Sequence, residues 1–141
     1  MPEKGDARPC LQEEVIYRPK EQLQLFDDEI VNNDTARISN AVECAPFRKF
    51  GLYVHGLYAG GVTAAELHIE VEFLDRWTGQ WYTYKQGLFA ALFYEDGDLG
   101  SGIYECFTGD VLGRAMRVKL TGATVDPNNY FTVSIGSDFW N

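Results

Sequence analysis

Apolar residues recur at every second position through most of this chain. Phe50, Leu52 and Val54 alternate with Gly51, Tyr53 and His55, and Leu67, Ile69, Val71 and Phe73 alternate with His68, Glu70, Glu72 and Leu74. Met116, Val118 and Leu120 flank Arg117 and Lys119, and Phe131, Val133 and Ile135 flank Thr132 and Ser134. Successive side chains of a strand point to opposite faces, so each segment presents one apolar and one wetted face. Helical spacing would scatter the carboxylates of Glu70 and Glu72 around a cylinder, whereas a period of two collects them on one side. Gly60-Gly61, Thr121-Gly122 and Asp126-Pro127-Asn128-Asn129 punctuate the runs as turns. Trp77-Thr78-Gly79-Gln80-Trp81 reads as a hairpin tip that returns through Tyr82, Thr83 and Tyr84. Ile103 to Phe107 makes another short strand. Leu88 to Tyr94 is apolar on both faces, so it is either a doubly covered strand or a buried helical turn. About seven or eight short strands bounded by turns predict an all-β fold: a two-sheet antiparallel sandwich of jelly-roll type.

The first part of the chain breaks this pattern. Residues 1–34 carry nine carboxylates against four basic side chains, and the apolar clusters Val15, Ile16, Tyr17 and Leu23, Leu25, Phe26 are separated by Pro19 and by charges. Neither cluster sustains a helical period. We read 1–34 as an extended N-terminal arm that packs poorly on its own body and needs a surface to lie on, and 35–141 as the β-sandwich body.

Composition narrows the function classes. With 141 residues, 45% of them hydrophobic and 14% aromatic, the chain can bury one core without covalent staples. A formal charge of −9 repels phosphate backbones and argues against nucleic-acid binding. Uncharged stretches are too short to span a bilayer, and the start Met1-Pro2-Glu3-Lys4 lacks the apolar core of a signal peptide, which points to synthesis in a cytoplasm. Cys10, Cys44 and Cys106 are odd in number and widely spaced, so free thiols are expected, with neither disulfide nor zinc site.

Candidate chemistry is thin. His68, Glu70 and Glu72 share one strand face but lack the closed ligand shell of a metal site. Neither histidine lies near a nucleophile elbow, and no GxSxG motif occurs. Glu95, Asp96 and Asp98 suggest a calcium loop, yet the twelfth position counted from Asp96 is Phe107 rather than Glu. No catalytic residue, metal or cofactor is therefore expected. The aromatic set of Trp77, Trp81, Tyr82, Tyr84, Tyr53 and Tyr58 fits either a sugar-stacking platform or an interface, with Trp77 and Trp81 as candidate surface aromatics. We favour the interface. Leu88, Phe89, Leu92, Phe93 and Tyr94, with the C-terminal Phe139 and Trp140, are the candidate contacts of a closed oligomer.

Arg117-Val118-Lys119-Leu120-Thr121-Gly122, then Asn129-Tyr130-Phe131-Thr132-Val133-Ser134-Ile135, together with a long strand before a Trp hairpin, resembles small virion proteins of tailed bacteriophages. The chain is most similar to head decoration, or cement, proteins over about residues 50–137. The resemblance implies a jelly-roll-like homotrimer on the outer capsid surface of the virion, with the major capsid protein as partner, an arm reaching a neighbour, and no catalytic residues. Neither nucleic acid nor membrane is an expected partner. The alternatives are a phage tail or baseplate component, a carbohydrate-binding β-sandwich module, and a small β-sandwich enzyme.

Overall fold

The alternating segments fold into strands that pair across two sheets. The computed structural model describes residues 20–61, 64–85, 91–95 and 102–141, with backbone only for 20–22 and 91–95. Its strands are β1 (Lys20–Val31), β2 (Arg37–Ile38), β3 (Val42–Glu43), β4 (Lys49–Ala59), β5 (Glu66–Leu74), β6 (Trp81–Thr83), β7 (Ala91–Glu95), β8 (Ile103–Asp110), β9 (Ala115–Ala123) and β10 (Tyr130–Trp140). One sheet runs β1-β10-β4-β8 and the other β2-β9-β5-β6, with β3 also on β9 and β7 also on β5. The short strands β2 and β3 share one edge of β9, and β6 and β7 share one edge of β5. Among the described residues eight lanes result, four to a sheet. All pairings are antiparallel, and the chain crosses between sheets as it passes from β1 to β2, β3 to β4, β4 to β5, β7 to β8, β8 to β9 and β9 to β10. That wrapping is a jelly roll.

The inward positions read from the sequence form the core. Phe50, Leu52, Val54, Phe131, Val133 and Ile135 of one sheet face Leu67, Ile69, Val71, Phe73, Met116, Val118 and Leu120 of the other, all buried. Tyr84 belongs here too: its ring meets Phe50 and Phe73 edge-on at 5.6 and 5.7 Å, and its hydroxyl accepts a hydrogen bond from the Asp110 amide at 3.2 Å. Between β2 and β3 the ladder to β9 is carried by Ser39, whose amide donates to the Val118 carbonyl and whose Oγ accepts from the Val118 amide, both at 2.9 Å. Among the described residues no helix is long and apolar enough to cross a membrane.

Two expectations are corrected here. Residues 20–31 do not form an arm that packs poorly: they are the strand β1, laid antiparallel along β10 with Phe26 and Val31 buried. Charge misled the reading, because Asp27, Asp28 and Glu29 fall where β1 shifts register and Asp28 takes a left-handed φ of 49°, a bulge that lets polar groups break the alternation. Val15, Ile16 and Tyr17 lie outside the described residues. Phe139 is the second correction, since it is fully buried and packs on Phe47 with ring centroids 6.0 Å apart. It sits on the inward parity of β10, with Phe131, Val133 and Ile135. The ambiguous apolar run resolves as strand where it is described, with Ala91–Glu95 pairing β5.

Candidate functional site

The two sheets present different outer faces. On the outside of β5 and β9, Arg117 donates from Nε to Glu72 Oε1 at 2.7 Å and lies 4.1 Å above the Trp81 ring. Lys119 Nζ stands 3.3 Å from Glu70 and 3.9 Å from Glu72, and His68 Nε2 is 3.3 Å from Glu66. The carboxylates of Glu70 and Glu72 share one face as predicted, paired with Lys119 and Arg117 of the adjacent strand, but Glu72 is buried among these partners rather than wetted. Most of the charge on this face is paired, and Trp81 is half-buried under a guanidinium rather than open.

Trp77 differs sharply. It is 88% exposed at the turn between β5 and β6. The turn is rigidly built: Asp75 Oδ2 accepts from the Thr78 amide and hydroxyl, both at 2.7 Å, its carbonyl accepts from the Gly79 amide at 3.0 Å, and Gly79 supplies a φ of 73°. Hydrogen bonds from the Thr78 side chain and then its amide hold the Asp75 carboxyl below its ordinary value. A groove of about 340 Å³ beside this tip is lined by Phe47, Arg76, Trp77 and Leu112 among others, and Leu112 is 58% exposed. Loops from three parts of the chain thus bring apolar groups to one end of the sandwich.

A second groove of about 470 Å³ crosses the outside of the other sheet, lined by Gln24, Tyr53, His55, Tyr104, Glu105, Ser134 and Gly136 among others. His55 and Tyr104 stack at 4.3 Å with planes 14° apart, and the Tyr53 hydroxyl donates to Asp138 Oδ2 at 3.1 Å. Desolvation, then the hydrogen bond and charge of Asp138, push the Tyr53 phenol above its ordinary value.

The proposed aromatic platform is therefore dispersed. Trp77 and Trp81 share a hairpin, Tyr84 is in the core, Tyr53 lies on the opposite sheet, and Tyr58 packs its ring 5.2 Å from Phe131. Of the interface candidates, Leu88 and Phe89 lie outside the described residues, and Leu92, Phe93 and Tyr94 are placed on β7 by backbone alone. Trp140 is half-buried. Cys44 is buried with its Sγ 3.6 Å from the Gly113 carbonyl oxygen, and Cys106 is exposed. Among the described residues no three His, Cys, Asp or Glu side chains cluster as a metal site would require. Leu112, Phe47 and the His55–Tyr104 stack were not singled out from sequence, because each depends on which loops or strands become neighbours.

The class that this architecture defines is the jelly-roll β-sandwich. No protein-family model matches the chain, and no curated protein matches it either. Among solved structures it is similar to the VP2 subviral particle of infectious bursal disease virus, at 7% identity and a TM-score of 0.43, covering 86% of this chain and 32% of that one. It is also similar to the structure of the Gx strain of that virus, at 12% identity and a TM-score of 0.33, covering 86% of this chain and 40% of the other. The chain spans well under half the length of these neighbours.

Proposed function

We propose that this chain is a non-catalytic structural virion protein that binds the outside of a capsid lattice as a decoration or cement protein, engaging capsid subunits through the Trp77 end of the sandwich. The observation that carries this reading is Trp77, 88% exposed on a hydrogen-bonded turn and beside the exposed Leu112. Holding a large apolar ring in water is unfavourable, and a fixed turn removes much of the ordering entropy that docking would otherwise cost. Trp is enriched among the anchors of protein contacts, and here it stands with the exposed Leu112 beside a groove whose lining is mostly polar. The topology supports the reading at the level of fold, since jelly rolls build virus shells as well as lectins and cupins. A cupin works from a site inside its barrel, whereas here that space is filled by Phe50, Phe131, Phe139, Leu52 and Met116. The formal charge of −9 suits a surface that stays outside the packaged genome. The homotrimer belongs to the same proposal, with contacts drawn from Trp140 and the apolar run 88–94.

Electron microscopy of the particle that co-purifies with this chain tests the placement. Density on the outer head shell, with the β5–β6 tip directed at capsid subunits, is expected. Density on a tail or baseplate overturns the capsid reading. Trp77→Ala should weaken co-sedimentation with those particles by about 30-fold or more, the loss of one interface hot spot. Its melting temperature should hardly move, because the ring packs on so little of its own chain.

A further inference from the structure

We propose that the groove across β4, β8 and β10 is a binding site for a neutral pyranose ring of a glycan, with Tyr104 as its stacking platform. The groove, about 470 Å³, falls within the range of about 300–1,000 Å³ that small-ligand clefts span. Tyr104 is 81% exposed, yet one face of its ring rests on His55 at 4.3 Å, so the other face is presented flat and in a fixed position. Tyr53 is tethered by its hydroxyl to Asp138, and Gly136, directly across from Tyr53 in the ladder, leaves the floor between the walls open. Two pre-oriented rings beside a floor opened by a glycine bind at little entropic cost.

The chemistry of the lining selects the ligand. Among the described residues neither Lys nor Arg lines the groove and Glu105 is its one carboxylate, so phosphates, carboxylates and nucleotides are disfavoured. A quaternary ammonium ion needs ring faces around it, but His55 and Tyr104 spend two faces on each other and form a platform rather than a cage. A pyranose matches the platform: one face of the ring is C–H and apolar, and its rim carries hydroxyls. At the groove's edge Gln24, whose Nε2 donates to the Phe26 carbonyl at 2.6 Å, and Ser134, whose hydroxyl is bonded to Asp28, keep part of their hydrogen-bonding capacity. The inference does not depend on the capsid reading, since Trp77 belongs to a different groove at the end of the sandwich.

Ligand-observed saturation-transfer NMR on the full chain tests it, with methyl β-glucopyranoside and methyl β-galactopyranoside as probes and choline and glucose 6-phosphate as comparators. Saturable binding of at least one methyl pyranoside is expected, stronger than that of either comparator. Tyr104→Ala should weaken it about tenfold, the scale of one aromatic contact, while the circular dichroism stays that of the wild type. Trp77→Ala should leave it unchanged, so failure here and failure of capsid binding can be told apart. Absence of pyranoside binding overturns the proposal. So does equal binding by Tyr104→Ala, or tighter binding of choline or of the phosphate.

Discussion

Asp75 illustrates how one side chain turns a hairpin tip into a fixed feature. Its carboxylate accepts both hydrogen bonds from Thr78, and those bonds are why its pKa lies below the ordinary value. A carboxyl with a depressed folded pKa contributes stability above its unfolded pKa, near about 3.9, and loses that contribution as pH falls through the lower folded value. The carboxyl is fully exposed, so the effect is local to the turn. The Thr78 amide resonance should accordingly titrate with a midpoint below that of an unconstrained Asp, and the turn should loosen only in acid. A midpoint at the ordinary value would mean that the turn is not held this way, and the fixed turn that carries Trp77 would go with it. Asp126 repeats the device at the β9–β10 turn, accepting from the Asn128 amide at 2.8 Å, which heads the causes of its own lowered pKa.

At the scale of elements, β1 decides how the first sheet is closed. It covers β10 over most of that strand's length while burying Phe26 and Val31. Each such side chain contributes about 1.5–3 kcal/mol on burial, before the ladder itself is counted. A chain beginning at Asn32 should therefore lose cooperative thermal unfolding or melt far lower than the full chain. An unchanged transition would show that β1 is dispensable. The two edges of this sheet also carry features that discourage uncontrolled pairing. Along β1 these are repeated register shifts and a run of acids, and on β8 Glu105 sits opposite inward-facing Val54. Assembly through the Trp77 end, rather than by edge-to-edge strand addition, fits those features.

For the whole molecule, the question is which apolar surface belongs to the core and which is left for a partner. Phe139 is core, so Phe139→Ala should cost about 3–5 kcal/mol in chemical denaturation without creating a folded monomer from an oligomer. Trp140, half-buried on the opposite face of β10, is the residue whose replacement should shift the mass seen by light scattering if a trimer forms. If Trp140→Ala leaves the mass unchanged while Phe139→Ala lowers it with the fold intact, the assignment of the two rings is reversed.

What the sequence determined by itself was the parity of the strands. A period of two is local, so Leu67 to Phe73, Met116 to Leu120 and Phe131 to Ile135 could be oriented without knowing any neighbour, and two sheets closed on an apolar interior followed. The tip at Trp77 was equally legible, because Thr78-Gly79 is turn chemistry. Tertiary structure decided the rest. Tyr84 became core and Trp81 was capped because Asp110, Phe50 and Arg117 arrive from distant strands. Residues 20–31 became a strand because β10 supplies the ladder that their charges obscured. The His55–Tyr104 platform exists only through the β4–β8 register, and the Phe47–Trp77–Leu112 end only through loops that the jelly-roll wrapping gathers together. Side-chain parity is set within a strand, whereas a site is set by which strands and loops become neighbours, and that depends on burying both sheets at once.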